Sequence, residues 1–442
     1  MTGQGGGSAF RRLARVRPTG RGGALLVAGA VLVATGIVLD LPDVVGLGAA
    51  AVLAVTAACA TLGWQRLDAG RGALDVERAI EPDPVVAGRP ATTRLTVRAR
   101  ARTGAAYERL ARLRLSEQAA HELAGPSGIH ARVRARPDRI DVQYSLAPVR
   151  RGRWPLGPVL TTRTDVFGLA RTTQPLGRAT RVSVWPRTTA LPARAAALGD
   201  VDRAAVGARL ASSDDSVLRE YVPGDDPRRV HWAGSARQGR LMVRADESAG
   251  LRPVTVLLDR ELLAPPPDDR PGARPPARDV VDDGEWAVEL AASVATSFLE
   301  AGHPTRLVAT TTTPGRTEHA AGRRSGRAQL LDATVDLTGL RGSEADRALT
   351  TTVRSLRADR TGSEVTVAVI GPRSGGPQRH ALASLGADGV GWAFLVVPRA
   401  AGMRHDVGPT ADGLRAAGWR VAPCTPGTPV ERAWSTLTES VA

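Results

Sequence analysis

The sequence contains no lysine, so its formal net charge of +15 comes from arginine. The arginines are spread along the chain, whereas a surface that follows nucleic-acid phosphates concentrates its positive charge on one face. We therefore expect no nucleic-acid partner. A basic surface beside a membrane of anionic lipids fits this distribution better.

Cysteine and aromatic residues are also scarce. The two cysteines are Cys59, inside an apolar run, and Cys424, near the C-terminus. They provide no disulfide framework, which is compatible with a reducing compartment. Aromatic residues make up 3% of the chain and apolar residues 43%, so we expect ordered cores built from alanine, valine and leucine. The length allows about three domains.

The familiar catalytic motifs are missing. The sequence has no phosphate-binding GxxxxGK[ST] loop, no HExxH zinc motif, no paired-cysteine zinc spacing and no GxSxG nucleophile elbow. We therefore expect neither an enzyme nor a bound cofactor.

Two long apolar runs lie near the N-terminus. Residues 22–39 and 44–64 carry no charged side chain and are joined by Asp40-Leu41-Pro42-Asp43. Each run is long enough to cross a hydrocarbon core of about 30 Å. A pair of buried helices in a soluble domain is the alternative, but the short polar connection favours a membrane hairpin, with lipid as a partner.

Flanking charge predicts how this hairpin is oriented. The connecting loop carries only Asp40 and Asp43, and the positive-inside rule places the arginine-rich flanks in the cytoplasm. We expect residues 1–21 to be a basic cytoplasmic N-terminus, and both chain ends to be cytoplasmic. The flanking arginines are Arg11, Arg12, Arg15, Arg17 and Arg21 before the first run, and Arg66 and Arg71 after the second.

Residues 74–187 show short runs with period-two alternation, broken by turn residues. Examples are residues 74–76, 93–97, 113–115, 140–142 and 181–185. This pattern is typical of antiparallel strands with one solvated face, and it predicts an immunoglobulin-like β-sandwich.

Residues 251–435 follow a different pattern. Val254–Leu258 is a short apolar run that ends at Asp259, residues 306–310 are consistent with the next strand, and residues 365–370 and 392–397 are further apolar strands. Trp286, Leu290, Val294 and Phe298 recur at helical spacing, after a proline-rich loop at 264–280. Alternating strands and helices predict an α/β domain with a doubly wound parallel sheet.

The linker at 188–250 contains the most varied polar chemistry, in residues 219–247. Val222-Pro223-Gly224-Asp225 fits a type II turn, in which Asp225 and Asp226 would bond nearby backbone. Alternatively, Asp225, Asp226 and His231 could form a metal or acid–base site of a hydrolase. A third interpretation pairs the arginines with nearby carboxylates as a clasp between domains, or as a surface for a partner's acidic tail.

The same stretch closely resembles the signature of the family known as domain of unknown function 58. The family pattern is REY-x-PGDD-x-R, then HW, SAR-x-G and VR-x-x-E, and residues 150–158 and 165–187 resemble the family too. The matching residues are Arg219, Glu220, Tyr221, Pro223, Gly224, Asp225, Asp226, Arg228, His231, Trp232, Ser235, Ala236, Arg237, Gly239, Val243, Arg244 and Glu247.

This resemblance implies an architecture and a set of partners. Family members join a membrane hairpin and a β-sandwich to a domain similar to von Willebrand factor type A. They commonly occur beside MoxR-type AAA+ ATPases and transglutaminase-like membrane proteins. The implied role is a non-enzymatic membrane scaffold or co-chaperone that helps such an ATPase assemble or remodel a client.

A type A domain normally carries a metal site that begins Asp-x-Ser-x-Ser after its first strand. Here Asp259 is kept, but both serine positions differ: the sequence runs Asp259-Arg260-Glu261-Leu262-Leu263. The later strand at 365–370 is followed by Gly371-Pro372, with no ligand aspartate. We therefore expect no metal, and Arg260 is a candidate to place a guanidinium where the ion would lie.

Overall fold

A computed structural model describes the fold, and it divides the chain into two compact units, Met1–Val184 and Trp185–Ala442. The structure describes residues 16–64, 67, 73–125, 128, 130–191, 218–220, 235–236, 239–244, 252–266, 276–359, 364–373, 375–386, 390–399 and 406–439.

The first unit begins with two antiparallel helices, α1 (Gly20–Val38) and α2 (Pro42–Trp64). Thr19 caps α1 by accepting a hydrogen bond from the Gly22 amide, and Pro42 suits the first turn of α2. The helices approach closely at glycine: a Cβ added to Gly48 would lie 2.6 Å from the Gly29 carbonyl oxygen. Both helices are long and apolar enough to span a membrane.

The rest of the first unit is mostly antiparallel sheet. Its strands are β1 (Val16–Pro18), β2 (Leu74–Glu81), β3 (Val85–Val86), β4 (Ala91–Ala99), β5 (Arg114–Ala119), β6 (Ala131–Ala135), β7 (Arg139–Leu146), β8 (Gly152–Thr164), β9 (Ala170–Leu176) and β10 (Thr180–Trp185). Two short helices, α3 (Gly104–Ala111) and α4 (His121–Ala124), interrupt them.

These strands form two sheets that share one hydrophobic core. In the described residues one sheet has the order β1-β9-β8-β10-β3, with β5 also paired to β8, and the other has the order β2-β4-β7-β6. The period-two alternation explains the packing, because Leu95 and Val97 of β4 point inward with Leu156 and Val159 of β8. The strand predictions for residues 74–185 are confirmed.

The second unit contains a parallel sheet and a short antiparallel ladder. The ladder joins β11 (Leu218–Glu220) to β12 (Met242–Arg244). The parallel strands are β13 (Val254–Leu258), β14 (Thr305–Ala309), β15 (Val365–Ile370), β16 (Val390–Val396) and β17 (Arg420–Cys424). Among the described residues their order is β14-β13-β15-β16-β17.

Helices cover the parallel sheet. They are α5 (Arg278–Glu300), α6 (Arg323–Val335), α7 (Gly342–Ala358), α8 (Gly376–Ser384), α9 (Gly408–Ala416) and α10 (Val430–Glu439). Helix α5 starts inside the stretch that the sequence assigns to the proline-rich loop, and its apolar positions are buried as predicted.

Two hydrophobic clusters lie against this sheet because adjacent strand residues point to opposite sides. Val256 and Leu258 of β13 pack in one cluster with α5 and α10, whereas Leu257 packs in the other with α7, α8 and α9. The strands therefore end in an edge whose loops lie between two covered faces.

Candidate functional site

The carboxyl end of β13 is the place where the topology favours a site. Strand β13 lies between β14 and β15, and the chain leaves β13 toward β14 and then returns to the far side as β15. Open parallel sheets bind ligands at such a switch point, outside the carboxyl ends of the strands. Asp259 follows β13 here, and residues 371–373 follow β15.

Asp259 is completely buried and its carboxylate is held from several directions. Its Oδ1 accepts a hydrogen bond from the Glu261 amide at 3.1 Å, and its Oδ2 accepts one from the Gly371 amide at 3.3 Å. The Arg373 guanidinium forms a close ion pair with the same Oδ2. A buried carboxylate that is paired and hydrogen-bonded avoids the large cost of an isolated buried charge.

Arg373 reaches three carboxylates from the loop after β15. It also forms a close ion pair with Glu261, and its Nη1 lies 3.5 Å from Asp346 Oδ1 on α7. Its own backbone is fixed, because its amide donates to the buried Thr410 hydroxyl at 2.9 Å. Arg373 is thus a preplaced internal cation.

Burial and neighbouring charges compete in setting the pKa values of this cluster. Burial would lower the pKa of Arg373, but the charges of Asp259 and Glu261 outweigh burial and raise it. Burial raises the pKa of Glu261, although the Arg373 charge opposes the rise. Burial has the opposite effect on a cation: it lowers the pKa of Arg341, whose guanidinium donates to the Leu263 carbonyl oxygen at 2.7 Å.

The guanidinium that pairs with Asp259 belongs to Arg373, so the assignment to Arg260 is wrong. The Arg260 side chain turns away and donates to the Thr338 carbonyl oxygen at 2.7 Å. The sequence does contain a signal for Arg373. It directly follows Gly371-Pro372, at the place where a type A domain would carry a carboxylate ligand.

This arrangement does not fit a divalent ion. Mg²⁺ needs oxygen ligands on an open, nearly octahedral shell. At this edge Asp259 and Glu261 are both turned to a guanidinium, so binding the ion would first require breaking two ion pairs. In the described residues no group of three or more histidine, cysteine or carboxylate side chains could hold a metal.

The charged signature is described only in part. Its two ends are brought together, since β11 pairs with β12 through Leu218 opposite Arg244 and Arg219 opposite Val243. Glu220 lies opposite Met242, Ser235 is buried, and Gly239 has a φ of 67°, in the left-handed region that favours glycine. The residues outside the described part are Tyr221, Pro223, Gly224, Asp225, Asp226, Arg228, His231, Trp232, Arg237 and Glu247.

A polar strap at residues 185–191 was missed by the sequence analysis. Arg187 makes a bidentate pair with Glu289 of α5, at 2.9 and 3.0 Å, and the Thr189 amide donates to Ser293. Trp185 Nε1 donates to Asp332 of α6 at 2.7 Å, and Leu191 is buried in the core. These contacts group the end of the VWPR stretch with the second unit.

Residues 217–407 match the model of the family described as protein of unknown function DUF58. This part of the chain is a DUF58 region. The match begins next to β11 and ends next to α9. It therefore includes Asp259 and Arg373 but excludes α1, α2 and the antiparallel sheets of the first unit, although the sequence resemblance extended to residues 150–158 and 165–187.

The other comparisons add little to the DUF58 match. No curated protein matches the chain. A solved structure, the PilB minor pilin from Streptococcus sanguinis, is similar at 8% identity with a TM-score of 0.28, covering 78% of this chain and 83% of the pilin. At that TM-score the likeness supports no argument about fold or function.

Proposed function

We propose that this protein, which carries a DUF58 region, is a membrane-anchored, non-enzymatic scaffold or co-chaperone that works with a MoxR-type AAA+ ATPase on a client. The single observation that best supports the non-enzymatic part is the Arg373 cluster. At the edge where open α/β sheets usually bind ligands, Asp259 and Glu261 are already paired with Arg373 of the same chain.

The anchoring part is supported by α1 and α2. Val27, Leu53 and Val38 are among their large apolar side chains that are exposed to the surroundings. A contiguous apolar surface of this kind is costly in water and favourable in lipid. The flanking arginines then favour cytoplasmic placement of both chain ends.

We also propose a specific fold for each of the two units. The strand order β14-β13-β15-β16-β17, with clusters on either side, supports a doubly wound domain similar to von Willebrand factor type A. The two antiparallel sheets with one core likewise support an immunoglobulin-like sandwich. A domain of the first kind without a metal would bind partners through its own side chains.

Co-purification tests this function. The full-length chain, carried in nanodiscs, is used to capture a MoxR-type AAA+ ATPase from the same cell. We expect Arg237→Ala, in the family signature, to reduce the recovered ATPase at least tenfold. Arg240→Ala is the matched control, because Arg240 lies in the same stretch but outside the family pattern, and its recovery should equal that of the wild type.

Two results would contradict the proposal. If the wild-type chain recovers no ATPase, the partnership is wrong. If Arg237→Ala remains folded and recovers as much ATPase as Arg240→Ala, the signature is not the interface.

A further inference from the structure

The tip of the β8–β9 hairpin lies beside the ends of α1 and α2. The Thr19 hydroxyl donates to the Gly168 carbonyl oxygen at 2.5 Å, and the Thr19 amide donates to the Leu169 carbonyl oxygen at 2.8 Å. The contact is tight, since a Cβ on Gly22 would lie 2.0 Å from the Leu169 oxygen.

The same hairpin also contacts the last turn of α2. Ala170 shares a small hydrophobic cluster with Ala58 and Leu62, and Val166 lines a cleft together with Thr61. Thr61 is only about 5 Å along the axis from the end of α2 at Trp64, at about 1.5 Å per residue. The tip of the β8–β9 hairpin therefore lies at the same level as the start of α1 and the end of α2.

Large apolar side chains are exposed at this level. Phe167 is 78% exposed and Val166 is 71% exposed, while Trp64 at the end of α2 is 73% exposed. The tip is rigidly built, because Asp165 accepts hydrogen bonds from the Phe167 amide at 2.9 Å and the Ala170 amide at 2.6 Å. Aromatic side chains at the end of a membrane-length helix are typical of the lipid interface.

Arginine surrounds the same tip. A cleft of about 250 Å³ is lined by Arg109, Arg112 and Arg163, together with Glu108 and Asp165. Burial, with the nearby Arg109 charge, lowers the pKa of Arg163 to about 10, so a neighbouring negative charge would stabilise its cationic form. Arg17 of β1 lies opposite Arg171 of β9, which adds two exposed arginines at the start of α1.

We propose that the β8–β9 tip and its arginines form a binding site for anionic phospholipid, with Phe167 and Val166 inserted at the headgroup level and Arg109 and Arg112 facing the lipid phosphate. Positive charge beside an apolar anchor is the combination that binds an anionic leaflet. The inference rests on the proposed membrane anchoring.

A label at the tip tests the insertion. The chain is prepared with Cys59→Ala, and a fluorophore is attached to Phe167→Cys in nanodiscs that contain phosphatidylglycerol. Cys424 stays unlabelled, since burial raises its pKa to about 12 and keeps its thiol protonated. The control label is on Val149→Cys, an exposed position before the start of the 13-residue strand β8, and so about 40 Å away from the tip.

We expect the label at 167 to be quenched by spin-labelled lipid with a shallow probe and shielded from iodide. The label at 149 should show the opposite behaviour. The proposal is overturned if both labels are quenched by iodide alone. Carbonate extraction separates this outcome from a failure of anchoring, because an anchored chain with a water-exposed tip contradicts only the lipid site.

Lipid retention tests the arginines. Native mass spectrometry of the full chain should show phosphatidylglycerol retained over phosphatidylcholine, and Arg109→Gln/Arg112→Gln should reduce that retention at least fivefold. Arg132→Gln/Arg134→Gln removes the same charge from exposed positions of β6 and should leave it unchanged.

An equal loss in both double variants, or no loss in either, would overturn the site. A free-phosphate arm uses the lipid-free chain in detergent. If inorganic phosphate binds there with the same dependence on Arg109 and Arg112, the site is one for soluble phosphate and the proposal is wrong.

Discussion

Each end of the parallel sheet buries an arginine that is paired with carboxylate. The carboxyl end has more carboxylates than cations, whereas the amino end has more hydrogen-bond donors than carboxylates. At the carboxyl end one guanidinium, Arg373, serves the carboxylates Asp259, Glu261 and Asp346. Near the amino end one carboxylate, Glu364, is served by several donors. Its oxygens lie 3.1 and 3.2 Å from Arg306 Nη2, and His319 Nε2 lies 3.1 Å from Oε1.

The pKa values follow this difference. Burial alone would raise the pKa of Glu364, but hydrogen bonds from His319 and Thr255 and the charge of Arg306 lower it below its ordinary value. At the other end burial dominates and the pKa of Glu261 is raised. The carboxylate at the amino end is therefore stabilised by several donors at once, whereas the carboxylates at the carboxyl end all depend on the single cation Arg373.

This comparison predicts that removing the one cation has the largest effect. Arg373→Met leaves Asp259 buried without its ion-pair partner, which should lower the free energy of unfolding by about 3–5 kcal/mol. The measurement is urea unfolding of the full chain in detergent, followed by tryptophan fluorescence. Arg354→Met, at an exposed position of α7, is the control and should change stability by about 0.5 kcal/mol or less. Equal midpoints for the two variants would refute the role of Arg373.

The second-largest loss in the free energy of unfolding is expected when the carboxylate at the amino end, Glu364, is removed. Glu364→Gln leaves Arg306 with a neutral partner, but Thr255 and the Thr317 carbonyl oxygen still accept from its guanidinium, at 2.6 and 3.2 Å. We expect a loss of about 2–3 kcal/mol in the same assay. Glu318→Gln, at an exposed neighbouring position, should have almost no effect. A loss larger than that of Arg373→Met would reverse the ranking of the two ends.

The lowered pKa of Glu364 also predicts acid sensitivity. A carboxyl whose folded pKa is below its ordinary value of about 4.3 contributes stability above that value and loses it as pH falls through the folded pKa. The unfolding midpoint of the wild type should therefore drop between about pH 5 and pH 3, and the drop should be smaller in Glu364→Gln. Parallel pH profiles for the two chains would show that Glu364 is not the titrating group.

The smallest effect is expected for Glu261→Gln. Burial raises its pKa, so desolvation offsets part of what its ion pair with Arg373 contributes, and in the variant Arg373 still faces Asp259 and Asp346. The free energy of unfolding should change by about 1 kcal/mol or less. A loss matching that of Arg373→Met would mean that the carboxyl end has no surplus of carboxylates.

The sequence predicts the elements well because their signal is local. Val254–Leu258 and Val365–Ile370 are apolar runs that become buried parallel strands, and the spacing of Trp286, Leu290 and Val294 becomes the buried face of α5. Such patterns depend only on which side of an element meets the core.

The site could not be predicted in the same way. Arg373 and Asp259 are 114 positions apart, and no periodicity connects them. The sequence placed the guanidinium at Arg260 because Arg260 is adjacent to Asp259, whereas the backbone turn after β13 directs that side chain to Thr338. The strap through Arg187 and Glu289 was missed for the same reason, since its partners meet only when α5 packs on the sheet.

The most direct test of the internal cation is a calorimetric titration of the full-length chain with Mg²⁺. Because Arg373 already holds Asp259 and Glu261, the wild type should give only heats of dilution. Tight Mg²⁺ binding that disappears in Asp259→Ala would contradict the account, because it would show that these carboxylates bind a metal in place of the guanidinium.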